Sequence, residues 1–129
     1  MAKITAKVAA KKTSAGGKAA TRLRVVLAPD AFLGPGKGEL LERIAASGSI
    51  SAAGRAMGMS YKRAWQLVET LNGYFRAPLV QAATGGKAGG GAQLTALGRQ
   101  VLAHYQAMTA ATEKACARNI AALQKLRKT

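Results

Sequence analysis

The chain reads as mainly α-helical, with one small β-hairpin placed before a long final helix. Three observations carry this reading. The 129 residues are 49% hydrophobic but only 5% aromatic, so the core must be built largely from Ala, Leu, Val and Met, which suits packed helices better than a β-sandwich. Between Ile50 and Asn72 two short apolar-periodic stretches flank a glycine, the pattern of two helices joined by a tight turn. From Thr95 onward there is no proline, and the only glycine is Gly98. The length suits a single domain.

The elements follow in chain order. Residues 1–20, rich in Ala, Lys, Gly and Ser, have too little apolar surface to fold alone and read as a disordered basic arm ahead of a domain over 21–129. Leu23 to Leu27 is a β-prone run ended by Pro29-Asp30, and Gly34-Pro35-Gly36 is a turn signal. Glu39 to Ala46 predicts a helix whose core face is Leu40, Leu41, Ile44 and Ala45, closed by Ser47-Gly48. After Gly73, Leu79 to Ala83 is a strand candidate, and Gln93-Leu94 can return as its partner. In the final segment Leu97, Val101, Tyr105, Met108, Thr112, Cys116, Ile120 and Leu123 step by three or four residues. This predicts one amphipathic helix of roughly 30 residues, about 45 Å long.

The net charge is +15, unevenly spread. Residues 1–24 hold seven basic side chains and no acid, residues 25–58 are balanced, and the rest of the excess lies beyond Gly58. A polyanion is the natural partner of such a chain, because each neutralised phosphate releases a condensed counterion. No stretch approaches the roughly 18 apolar residues of a membrane span, and Met1 to Gly17 lacks the apolar core of a secretory signal. Cys116 is the only cysteine and His104 the only histidine, which excludes an intramolecular disulfide and disfavours a structural metal site. A cytoplasmic location fits these features. The five acids, Asp30, Glu39, Glu42, Glu69 and Glu113, form no set with a nucleophile and a base. Enzyme activity is unsupported, and no cofactor is implied.

The most informative window is Ile50 to Val68, ISAAGRAMGMSYKRAWQLV. In a helix-turn-helix the turn needs a residue that tolerates positive φ, and Gly58 stands there. The first helix needs small residues where the second crosses it, which Ala53 and Gly54 supply. Met57, Met59, Ala64 and Leu67 fall at the anchoring positions, and Ser60 can cap the second helix. Tyr61, Lys62, Arg63 and Gln66 are left facing outward, with Trp65 at the edge. Arg and Lys can read guanine and Gln can read adenine, while Tyr61 and Ser60 can hold phosphate. An ordinary helical hairpin with a solvated basic face is the plainer alternative. Trp65 could stack on DNA, but a Trp beside a core Ala is expected to be half-buried and packed.

Thr84 to Ala92 holds five glycines around Lys87. A phosphate-binding P-loop requires a Ser or Thr directly after the lysine; Ala88 stands there instead. As the tip of a β-hairpin the segment makes sense as a wing, with Thr84 and Lys87 reaching a phosphate backbone and glycines allowing close approach. The expectation is a winged helix-turn-helix with a long C-terminal dimerisation helix. The apolar stripe of that helix exceeds what one small domain covers and would meet the same helix in a second subunit. A homodimer would then present two recognition helices to double-stranded DNA.

The chain also resembles the N-terminal DNA-binding domain of ModE-type molybdate-responsive regulators, relatives of LysR-type helix-turn-helix proteins. The resemblance runs from about Arg22 to Met108 and is most specific in GSISAAGRAMGMSYKRAW (Gly48–Trp65) and ATGGKAGGGAQLTALG (Ala83–Gly98). It implies a winged-helix dimer held by its N-terminal and C-terminal helices, recognition through the helix beginning at Ser60, and a wing around Lys87. Members of that family carry a C-terminal sensor for molybdate or tungstate. Cys116-Ala117-Arg118-Asn119 resembles its opening oxyanion motif with Cys in place of Ser, and nothing after it could close a pocket. The expectation is a regulator of molybdenum-related genes that does not bind molybdate by itself. A non-specific architectural DNA-binding protein, and an oxyanion- or partner-binding interaction subunit, are the alternatives.

Overall fold

The computed structural model describes residues 19–83 and 91–128; residues 1–18 of the expected basic arm lie outside that range. Among the described residues the chain forms β1 (Val25–Ala28), β2 (Ala31–Leu33), α1 (Pro35–Ser47), α2 (Ile50–Ala56), α3 (Tyr61–Tyr74), β3 (Val80–Ala83), β4 (Gly91–Leu94) and α4 (Ala96–Leu126). This is the winged helix-turn-helix arrangement with its long final helix.

The run around Val25 is a strand, as expected, but Pro29-Asp30 does more than end it. The two residues form the turn of a second antiparallel hairpin, pairing Val25 with Leu33 and Val26 with Phe32. The register shifts between Val26 and Ala28, placing an irregularity at Leu27.

Helix α1 begins four residues earlier than Glu39. Gly34-Pro35-Gly36 is not a separate turn: Pro35 occupies the first helical turn, where its missing N–H has no intrahelical partner to lose. The helix stops where predicted, with Gly48 in the left-handed region (φ 75°) donating its N–H to the Ile44 carbonyl at 2.8 Å. Its buried face is Lys37, Gly38, Leu40, Leu41 and Ile44. Ala45, expected in the core, is exposed, because the longer helix turns a face centred one residue earlier toward the other elements. Lys37 buries its stem and holds its ammonium 3.5 Å from the centroid of the Phe32 ring.

The core is one cluster. Leu40, Leu41 and Ile44 of α1 meet Ala53, Val68 and Leu71 of the helical pair, Leu79 just before β3, Val80, Ala92 and Leu94 of the wing strands, and Leu102 and Tyr105 of α4. Two close approaches hold α4 in place. A Cβ on Gly98 would sit 2.1 Å from the Leu79 carbonyl oxygen, so only glycine allows this helix to press against the wing. Tyr105 packs over Gly38, and its hydroxyl donates to the Leu23 carbonyl at 2.8 Å. Gln106 donates to Glu42 across the same seam.

Candidate nucleic-acid interface

The site begins with the turn between α2 and α3. Ser49 caps α2, its hydroxyl oxygen accepting from the Ala52 N–H at 2.9 Å. After the seven residues of α2 the chain must reverse, and Gly58 does so at φ 73°. That conformation is strained for residues carrying a Cβ. The two helices then cross where the sequence is smallest: a Cβ on Gly54 would lie 2.9 Å from the Cβ of Ala64. Ser60 caps α3 by accepting from the Arg63 N–H at 3.1 Å. The anchors behave as expected in kind, with Ala64 fully buried and Met57, Met59 and Leu67 half-buried. Val68 and Leu71 supply the deeper contacts.

With Ala64, Val68 and Leu71 turned inward, the rotation of α3 is settled, and Tyr61, Lys62, Arg63 and Gln66 are all exposed. Ser60 is exposed too; its oxygen accepts from the helix while its O–H stays available to donate. Thr84 and Lys87, the expected wing contacts, lie outside the described residues. The strands that carry them are in register, Val80 opposite Leu94 and Ala83 opposite Gly91.

Trp65 is about half-buried, as expected at the edge of this face: 38% of it stays exposed, one helical turn beyond Tyr61. Tyr61, Lys62, Trp65, Gln66, Glu69 and Thr70 line one shallow depression on the outer face of α3. The physical reason is angular. Residues 64, 68 and 71 define the inner line of the helix, and position 65 falls a quarter turn or more away from it. Glu69, which the sequence reading does not single out, is an exposed acid sharing the depression with Lys62, with no ion-pair partner among the described residues. Arg55 of α2 is exposed nearby in sequence and donates to the Ser51 hydroxyl at 3.1 Å.

A further residue orients the wing. The Asn72 side-chain oxygen accepts from the N–H groups of Leu79 and Val80, at 2.8 and 3.1 Å, and its amide donates to the Val80 carbonyl at 3.3 Å. Thr95 works from the other strand, capping α4 through the Gly98 N–H at 2.9 Å and donating to the Pro78 carbonyl at 2.8 Å. The hairpin is thereby tied at its base to both α3 and α4. No residue in this fixed sequence neighbourhood announces that pairing, because Asn72 and Leu79 meet only after the chain has folded back.

A glycine-turned helical pair, an outward basic second helix and a hairpin clamped beside it define the winged helix-turn-helix class. Within that class, residues 38–99 match the bacterial regulatory helix-turn-helix proteins of the lysR family, and the chain is ModE-like in sequence. The chain is 49% identical over 84 residues to the molybdenum-pterin-binding protein MopB of Rhodobacter capsulatus, covering 65% of this chain and 31% of that protein. It is 45% identical over 69 residues to the molybdenum transport protein ModE of Azotobacter vinelandii, covering 54% and 26% respectively. Against the DNA-binding transcriptional dual regulator ModE of Escherichia coli K12 it is 42% identical over 84 residues, 65% of this chain and 32% of that one. The chain thus spans about a third or less of the length of these relatives. No helix among the described residues is long and apolar enough to cross a membrane.

Proposed function

We propose that the chain is a sequence-specific, double-stranded-DNA-binding transcription regulator of the ModE type, acting on molybdenum-related genes. The observation that carries this is the pose of α3. The Gly58 turn and the Gly54–Ala64 crossing leave Tyr61, Lys62, Arg63 and Gln66 as one exposed face on a rigidly seated helix. Lys62, Arg63 and Gln66 have the donor chemistry to read base edges in a major groove, while Ser60, Thr84 and Lys87 take phosphates. The identities to ModE proteins, which include a named DNA-binding transcriptional regulator, support the choice of target class.

The regulator acts as a homodimer in this reading. The stripe along α4 continues past the core through Met108, Thr112, Cys116, Ile120 and Leu123, with Leu123 64% exposed. The same helix of a second subunit covers it, setting two copies of α3 on two half-sites.

Selection of bound duplexes from a random pool tests the reading. The expected outcome is a palindromic motif with two half-sites. Equal affinity for all sequences, with a steep dependence on salt, would make the chain an architectural DNA-binding protein instead.

A further inference from the structure

The six aromatic residues of the chain fall into two groups. Phe32, Tyr74, Phe75 and Tyr105 are buried or half-buried, whereas Tyr61 and Trp65 are exposed, and both exposed rings stand on α3, one turn apart. Trp65 cannot be turned inward by rotating the helix, since Ala64 and Val68 on its inner side are already 0% and 2% exposed. Its ring N–H has no partner among the described residues. The indole therefore forms an apolar wall of the depression shared with Lys62, Gln66 and Glu69, with Arg63 exposed on the same helix.

Only one base presents an apolar group in the major groove: thymine, through its 5-methyl. Guanine, cytosine and adenine offer polar edges that an indole wall would desolvate without compensation. We propose that Trp65 is a specificity-determining residue that reads the methyl group of a thymine, beside the polar readers Lys62 and Gln66. This rests on the DNA-binding reading above. Tyr61, one turn nearer the helix start, flanks the same methyl or the adjoining sugar.

The test uses the full chain and the duplex it selects from a random pool, with each thymine replaced in turn by uracil, which lacks only the methyl. At one position of the motif the replacement should weaken binding by roughly fourfold, the effect of one buried methyl group. Trp65→Ala should bind the thymine and uracil duplexes equally, and Trp65→Phe, which keeps an apolar ring, should retain part of the difference. Circular dichroism of both variants checks that α3 is intact. Uracil tolerated at every position by the unaltered chain overturns the proposal, as does unchanged discrimination in Trp65→Ala; either result leaves the regulator reading standing. A selection that returns no motif removes both.

Discussion

Helix α4 is one continuous element with two different surroundings. Over its first half Gly98, Leu102, Tyr105, Gln106 and Thr109 are buried against α1 and the wing. Beyond Thr109 no described residue of the helix is buried, and residues 121–128 are all exposed. The apolar spacing is the same in both halves. What differs is whether another element has a face shaped to receive it: Gly38 for the Tyr105 ring, and the Leu79 backbone for Gly98. Periodicity tells which side of a helix wants a partner; burial needs the partner.

The contrast can be broken by substitution, and the largest effect is expected where backbone meets backbone. Gly98→Ala pushes a methyl into the Leu79 carbonyl, which cannot swing aside as a side chain would. It should cost about 3 kcal/mol in denaturant unfolding. Asn72→Ala leaves the N–H groups of Leu79 and Val80 without their acceptor and should cost about 1–3 kcal/mol. The accompanying sign is faster amide exchange at β3.

Tyr105→Phe removes the bond to the Leu23 carbonyl, a loss of about 1 kcal/mol at neutral pH. It also changes the alkaline limb. Burial raises the Tyr105 phenol above its ordinary 10.0, partly offset by hydrogen bonding with Thr109. A group raised on folding stabilises the fold below its unfolded pKa and loses that contribution as pH rises through the folded value. The native chain should therefore weaken above pH 10, and the Phe variant should lack that component when unfolding midpoints are compared across pH. In the distal half, Leu123→Gln should shift the unfolding of dilute protein by no more than about 0.5 kcal/mol. In sedimentation the same variant should shift the chain from dimer toward monomer.

The half of the molecule that was legible in the sequence is the half governed by local sterics. Gly58 at positive φ, Ala53 and Gly54 at the crossing, Ser60 at the cap and the uninterrupted run after Thr95 each solve a problem posed by residues close in sequence. Pro29-Asp30 ends β1 as expected, but that the pair also turns the chain into β2 is decided only by Phe32 and Leu33 lying opposite Val26 and Val25. Ala45 was misplaced by a helix start hidden inside a Gly-Pro-Gly signal. The role of Asn72 depends on how α3 sits against a strand that comes later in the chain. On the outer face of α3, the exposure of Tyr61, Lys62, Arg63 and Gln66 and the edge position of Trp65 are readable, and the acidic neighbour Glu69 is not.

The outward face of α3 as a reader of bases is tested most directly with Arg63→Ala, by measuring equilibrium binding to the selected duplex and to a scrambled one at the same salt concentration. The account predicts a loss of roughly 1–3 kcal/mol on the selected duplex and a much smaller one on the scrambled duplex. Equal losses on both would mean that Arg63 meets only the phosphate backbone, contradicting its place among the base readers of α3.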